Sequence, residues 1–205
     1  EITISMISKS KIQKKLPSII SIEQTERLIS SIDVTNLLGV RDRALIETLY
    51  TTGMRVSEIS SLNIDDIIDK NKIKLMGKGA KPRVVFMSGT TRTWIDQYIK
   101  LCSQKFKNHQ NNALFLNRFG TRLSVRSIQI LVKKYGYKSG IGVSLHPHLL
   151  RHTFATHMLS NGADLRTVQA LLGHSKVSTT QIYTQVANSD MKKSYFKSHP
   201  RVSLK

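Results

Sequence analysis

His148 and Arg151, spaced as His-x-x-Arg, are the first candidates for chemistry in this sequence. Residues three apart share one face of a helix, so the imidazole and the guanidinium would project together. The preceding His146-Pro147 puts His148 at the helix start, where unpaired backbone N–H groups favour an anion. Taken alone, however, the spacing is more typical of a solvated helix face.

Two further cations stand where a phosphate could bind. Arg55 follows Gly53-Met54 at the start of a predicted helix, and Lys78 lies between glycines that would let a ligand approach closely. Each has an ordinary alternative. Arg55 could simply pair with Glu58 on the surface, and Lys78 could be the tip of a charged hairpin.

A histidine and a tyrosine follow further along the chain. Gly173 ends a predicted helix and places His174 on a tight turn, nine residues before Tyr183 in the next predicted helix. Alternatively, Tyr183 is a half-buried aromatic residue and His174 a plain turn residue.

In combination these residues match the needs of phosphodiester transfer without a metal ion. Guanidiniums can bind two phosphate oxygens at once and take the role that Mg²⁺ has elsewhere. A tyrosine with a pKa near ~10 needs a base or a cationic field to attack, and the leaving 5′-oxygen needs an acid. The combined set, in chain order, is Arg55, Lys78, His148, Arg151, His174 and Tyr183.

The elements that would position this set are mostly helices. Ser21 and Gln24 form a predicted capping box, and short β-branched runs around Ile73 and Val85 predict a small antiparallel sheet after the third helix. We therefore expect a mainly α fold with a small antiparallel β-sheet inserted. Helices are predicted over 24–32, 40–50, 55–62, 91–106, 124–135, 148–161, 165–172 and 178–186.

The composition points to a polyanionic partner. Among 205 residues, 32 Lys and Arg against 13 Asp and Glu leave a formal charge of +19. The single cysteine, Cys102, excludes an internal disulfide and suggests a reducing, cytoplasmic compartment. No apolar run reaches the ~20 residues that a membrane span needs, and Glu1 suggests that something upstream has been removed.

The block Pro147–Val186, PHLLRHTFATHMLSNGADLRTVQALLGHSKVSTTQIYTQV, resembles the core of the tyrosine site-specific recombinases of the phage integrase family, and most of all their Xer branch. TGMRVSEISSL (52–62) and GKGAKPR (77–83) resemble the first-arginine and lysine motifs of that family, and SHPR (198–201) resembles the tail of Xer proteins.

The resemblance implies a role for each residue of the set. Arg55 and Arg151 clamp the scissile phosphate, and Lys78 is the general acid for the leaving 5′-oxygen. His148 assists proton transfer with the tyrosine. His174 hydrogen-bonds a non-bridging oxygen, and Tyr183 attacks to give a 3′-phosphotyrosyl intermediate.

The resemblance also implies that Glu58 supports the site without reacting, and that no metal, ATP or other cofactor is used. The partner would be double-stranded DNA in the nucleoid.

The domain organisation follows from the same comparison. Family members carry a helical core-binding domain before the catalytic one, so residues 1–20 would be a basic linker remnant and 21–188 the catalytic domain. Residues 189–205 would form a C-terminal helix and tail. Their apolar stripe, Met191, Tyr195 and Phe196, could fold back or dock into a neighbouring subunit. We expect a tetramer on DNA and a monomer for the isolated fragment.

Three rival functions remain open from the residues alone. A type IB topoisomerase would use the same residues without joining two sites, and a plain DNA-binding module would use none of them for catalysis. A metal nuclease could use His146, His148, His152 and His157, because the i, i+4 spacing of His148 and His152 is typical of zinc ligands.

Overall fold

The computed structural model describes residues 19–76, 82–106, 112–173 and 185–203. Over these residues the fold is mainly α with one small antiparallel sheet, as predicted. The elements, in chain order, are α1 (Ile22–Ser30), α2 (Leu37–Thr52), α3 (Val56–Ser61), a 3₁₀ turn (Ile64–Asp66), β1 (Ile67–Asp69), β2 (Lys72–Met76), β3 (Pro82–Phe86), α4 (Gly89–Lys105), α5 (Val125–Lys138), α6 (Pro147–Ser160), α7 (Leu165–Leu172), α8 (Gln185–Ser198) and α9 (Pro200–Ser203).

The capping residues explain where the helices begin. Ser21 and Gln24 form the predicted capping box, each side chain bonding the other's backbone N–H. Helix α2 begins earlier than predicted because the Asn36 side chain accepts a hydrogen bond from the Gly39 N–H at 3.0 Å. Residues 178–184 of the helix predicted over 178–186 lie outside the described residues. Residues 1–18, most of the predicted linker, also lie outside them.

The sheet has the order β1-β2-β3, with both neighbouring pairs antiparallel. In the β2–β3 pair, Leu75 lies opposite Arg83 and Ile73 opposite Val85. All of these side chains are buried. The sheet therefore turns one arginine toward the interior, on the strand that directly follows the Lys78 segment.

Helix α2 is the centre of the fold and packs against α4 and α6. It is buried on nearly every side, and its threonine hydroxyls bond back to the carbonyl four residues earlier, for example Thr48 to Ala44 at 2.7 Å. Gly53 ends the helix in the left-handed conformation, with φ of 61°. A Cβ there would lie 2.4 Å from the Phe154 ring of α6, so close packing of the two helices requires glycine.

The C-terminal segment packs on its own domain. Tyr195 is fully buried, with its ring 5.8 Å from that of Phe86, while Met191 and Phe196 pack against the same cluster. Further on, Arg201 binds the buried Glu47 of α2, with Nε to Oε2 at 3.0 Å. In the single chain the stripe thus folds back, and its exchange between subunits stays a prediction about the assembled protein.

No helix within the described ranges is long and apolar enough to cross a membrane.

Candidate active site

Arg151 lies at the centre of the candidate site and is held by backbone atoms. Its guanidinium donates from Nη1 to the Gly53 carbonyl and from Nη2 to the Leu172 carbonyl, each at 2.7 Å. These acceptors are the C-cap residue of α2 and the last residue of α7, and the Arg151 side chain is buried. The ends of the two helices therefore fix one guanidinium of the predicted clamp.

Burial and the neighbouring guanidinium of Arg55 together lower the pKa of Arg151 to about 10. The group therefore remains protonated at neutral pH, although its proton is held less tightly than that of an exposed arginine. An anion bound beside it would offset both effects, because a nearby negative charge favours the protonated form.

Arg55 is the second guanidinium of the predicted clamp, and it comes to the same place from α3. Its Nη2 lies 3.3 Å from the carbonyl oxygen of Gly173, the residue after the Arg151 acceptor Leu172. Two consecutive peptide carbonyls thus bring the predicted clamp residues together, although they are far apart in sequence. The side chain of Arg55 is 41% exposed, so it faces solvent at the site.

Glu58 is the carboxylate at this site. It accepts from the Arg55 backbone N–H at 2.7 Å and from Arg55 Nη1 at 3.0 Å. Burial alone would raise the pKa of Glu58, but hydrogen bonds from Arg83 and from the Arg55 backbone hold it below its ordinary value. Glu58 is therefore an anion that orients the cations around it.

Arg83 also belongs to the site, although no role was predicted for it from the sequence. Its Nη1 and Nη2 donate to the two oxygens of Glu58 at 2.7 and 2.9 Å, a bidentate pair. It ends the motif GKGAKPR and occupies an inward-facing position of β3. The sequence could have indicated this pairing, because a charged residue that alternates in phase with the buried side chains of a strand needs a partner of opposite charge.

His148 sits at the second position of α6, as predicted, one turn before Arg151. Its side chain is exposed, and the preceding His146 caps the helix by accepting from the Leu149 N–H at 3.2 Å. His148 also lines an open groove of about 690 Å³ between α5 and the start of α6. Other residues of that groove are Arg126, Gln129, Lys133, Lys134, Tyr137 and Ser144.

Three predicted site residues, Lys78, His174 and Tyr183, lie outside the described residues. Their neighbours in sequence are described. Met76 and Pro82 bound the segment that holds Lys78, and Gly173, the Arg55 acceptor, directly precedes His174. Their roles therefore stay predictions.

The histidines proposed for a metal nuclease do not converge. His157 is buried, with Nδ1 2.9 Å from the Tyr50 hydroxyl, whereas His152 is exposed on the same helix. Within 19–76, 82–106, 112–173 and 185–203, no group of three or more His, Cys, Asp or Glu residues is arranged to hold a metal ion.

The guanidiniums of Arg55 and Arg83 thus pair with the Glu58 carboxylate, and that of Arg151 is near enough to interact electrostatically with all three. Three cations and one anion leave a net positive charge at a partly exposed site. Cations held rigidly by backbone carbonyls and by Glu58 are prepared to receive a phosphate and to stabilise the charge that builds up on its oxygens. The arrangement suits phosphoryl transfer in which arginines supply the positive charge.

Comparisons with known proteins show the family of the chain. Residues 19–190 match the model of the phage integrase family. The tyrosine recombinase XerD of Staphylococcus haemolyticus is 43% identical over 198 residues, which cover 96% of this chain and 67% of the relative. The chain therefore belongs to the phage integrase family, and its relatives are tyrosine recombinases of the Xer type.

Solved structures give the same result. The XerA recombinase superposes with a TM-score of 0.72 at 33% identity, covering 88% of this chain and 65% of that one. The XerH site-specific recombinase, bound to its difH substrate in a pre-cleavage complex, gives a TM-score of 0.70 at 27% identity, covering 91% of this chain and 56% of that one. This chain thus spans about two thirds of the length of XerD and of XerA, and less of XerH.

Proposed function

We propose that this chain is the catalytic part of a site-specific recombinase that cuts and rejoins double-stranded DNA through Tyr183. The observation that carries the proposal is the pairing of Arg151 and Arg55 on the consecutive carbonyls of Leu172 and Gly173. Two guanidiniums held at one point suit the two non-bridging oxygens of a phosphodiester.

In the proposed reaction the Tyr183 oxygen attacks phosphorus and the bond from phosphorus to the 5′-oxygen breaks. His148 assists removal of the phenolic proton, and Lys78 protonates the departing 5′-oxygen. Arg55, Arg151 and His174 stabilise the charge on the non-bridging oxygens. Rejoining is the reverse step with a 5′-hydroxyl from another strand, and it needs no external energy because a phosphodiester-type bond is kept throughout.

The DNA would lie across the groove that begins at His148. Arg126, Lys133 and Lys134 supply positive charge along α5, and Tyr137 offers an exposed ring. Phosphate contacts of this kind hold a protein on duplex DNA. The XerH relative is itself bound to a DNA substrate, which supports the same partner here.

The Xer relatives favour recombination over the rival type IB topoisomerase function. The biological task would be chromosome or plasmid dimer resolution, or integration of a mobile element, carried out in the cytoplasm on the nucleoid. We further propose that residues 1–20 link to a DNA-clamping domain and that 21–188 form the catalytic domain. On this proposal, 189–205 pass between the subunits of a DNA-bound tetramer.

A covalent-adduct assay tests the proposal. The protein is incubated with nicked duplexes that carry candidate sites from the genome flanking its gene, in the presence of EDTA. The nick lets the cleaved strand diffuse away, so we expect a protein–DNA adduct that resists denaturation and persists without divalent metal. A metal nuclease would release free ends and stop in EDTA, and a plain DNA-binding module would leave the strands intact.

Substitution of Arg151 tests the clamp. We expect Arg151→Lys to slow single-turnover adduct formation by about 10²- to 10³-fold, the usual cost of removing one preorganised donor from a developing anion. Lysine keeps the charge but cannot bind the Gly53 and Leu172 carbonyls and a phosphate in one plane. DNA affinity should change little.

The matched control for Arg151 is Arg166→Lys on the exposed face of α7, which should leave the rate unchanged. Melting curves would show whether the Arg151 variant is folded. A folded Arg151→Lys protein that forms the adduct at the normal rate would remove Arg151 from the clamp.

A further inference from the structure

Glu58 is shared unequally between two arginines. Arg83 occupies both carboxylate oxygens, at 2.7 and 2.9 Å, whereas the Arg55 side chain reaches one oxygen from Nη1 at 3.0 Å. The second oxygen is also taken by the Arg55 backbone N–H, at 2.7 Å. Arg83 and Arg55 thus each donate two hydrogen bonds to the carboxylate, but the Arg55 guanidinium supplies only one of them.

The three side chains form a gradient of burial. Arg83 is 7% exposed and Glu58 12% exposed, whereas Arg55 is 41% exposed. Arg83 thus lies beneath the site, and Arg55 faces the side from which a phosphate would arrive.

The Arg83 guanidinium also packs closely against the backbone of Gly173. A Cβ at Gly173 would lie 2.9 Å from Arg83 Cζ, closer than real Cβ contacts allow. The guanidinium of Arg83 is therefore packed between Glu58 and the backbone that carries the Arg55 acceptor. This packing keeps it in a single position, from which it can make the bidentate pair at low entropic cost.

A lone arginine beside a carboxylate favours a bidentate pair, which occupies two of its five N–H donors and fixes the plane of the guanidinium. Arg55 is close enough to Glu58 to do this, and both Nη groups that face the site could then be committed to the carboxylate instead of a substrate. We propose that Arg83 is a positioning residue that occupies Glu58 and thereby keeps the Arg55 guanidinium available for the scissile phosphate. The proposal rests on the clamp role of Arg55 given above, and it assigns no contact between Arg83 and DNA.

The test is a double substitution. In Arg83→Met, the Arg55 guanidinium should form a bidentate pair with Glu58. Single-turnover adduct formation should then slow by about 10- to 100-fold, a smaller effect than the loss of a direct phosphate donor. DNA affinity should remain within about twofold, because one buried charge contributes little to phosphate contacts. Adding Glu58→Gln should restore at least part of the lost rate, because a neutral amide cannot hold Arg55 in this way and both partners of the buried pair are then removed together.

The control is Arg92→Met, which removes the same charge from an ion pair with Asp96 on α4. It should leave the rate unchanged. If Arg83 served only to hold the fold together, the double variant would be at least as slow as Arg83→Met, with a lower melting temperature, and the proposal would be wrong.

A substrate with a 5′-bridging sulfur provides a second readout. Sulfur leaves without protonation, so it reports whether Arg83 acts through the Lys78 segment. We expect the Arg83→Met defect to persist on this substrate. Its disappearance would assign Arg83 to the leaving-group side and overturn the proposed action on Arg55.

Chemical modification separates this proposal from the proposed function. Phenylglyoxal reacts with accessible guanidines, and peptide mapping gives its rate at Arg55. That rate should fall in Arg83→Met and recover in the double variant, whether or not the wild-type protein forms an adduct. Unchanged modification of Arg55 would refute the positioning role, whereas a missing wild-type adduct would count against the recombinase function alone.

Discussion

Tyr183→Phe is expected to abolish the covalent protein–DNA adduct while DNA affinity stays within about twofold, because the change removes one hydroxyl and no charge. The phenol oxygen is the proposed nucleophile, and Tyr183 is the only tyrosine in the sequence block 147–186. Denaturing gels with nicked substrates measure the adduct, and a gel-shift titration measures binding.

The matched control is Tyr137→Phe, which removes the same atom from an exposed ring on α5. Its adduct should form at the wild-type rate. Survival of the adduct in Tyr183→Phe would mean that another residue attacks, and mapping of the linked peptide would then identify it.

Lys78→Ala is expected to slow cleavage of ordinary DNA by about 10²- to 10⁴-fold, the usual contribution of a general acid. With a 5′-bridging sulfur the leaving group no longer needs a proton, so the variant should cleave this substrate at close to the wild-type rate. The comparison is made in single turnover on matched sequences.

Lys81→Ala controls for the loss of positive charge, because Lys81 lies in the same short segment between Met76 and Pro82. It should behave like wild type on both substrates. Equal defects of Lys78→Ala on both substrates would exclude it as the acid and leave it a purely electrostatic role.

The local features of the fold were predictable from the sequence. Ser21 with Gln24 began a helix, Gly53 ended one, and the β-branched runs formed a small sheet, because each depends on residues close in the chain. The meeting of Arg55 and Arg151 was predicted from their combined chemistry and from the family resemblance, since no periodicity connects residues so far apart.

The supporting contacts of the site could not be predicted in this way. The Arg151 acceptors are main-chain carbonyls, which every residue possesses, so no residue type marks Gly53 or Leu172 as partners. The pairing of Arg83 with Glu58 joins a strand to a helix through the tertiary fold. The ion pair of Arg201 with Glu47 likewise depends on where the chain end returns.

The holding of Arg151 by peptide carbonyls affects how the site can evolve. A side-chain acceptor disappears with one codon change, whereas the carbonyl at Leu172 persists whatever residue is encoded there. A mutation elsewhere can break these hydrogen bonds of Arg151 by redirecting the backbone. Gly53 is such a position, because its φ is 61° and Phe154 leaves no room for a Cβ. A library that retargets the enzyme to new DNA can therefore diversify the groove face of α5 freely, provided that the Gly53 codon is kept constant.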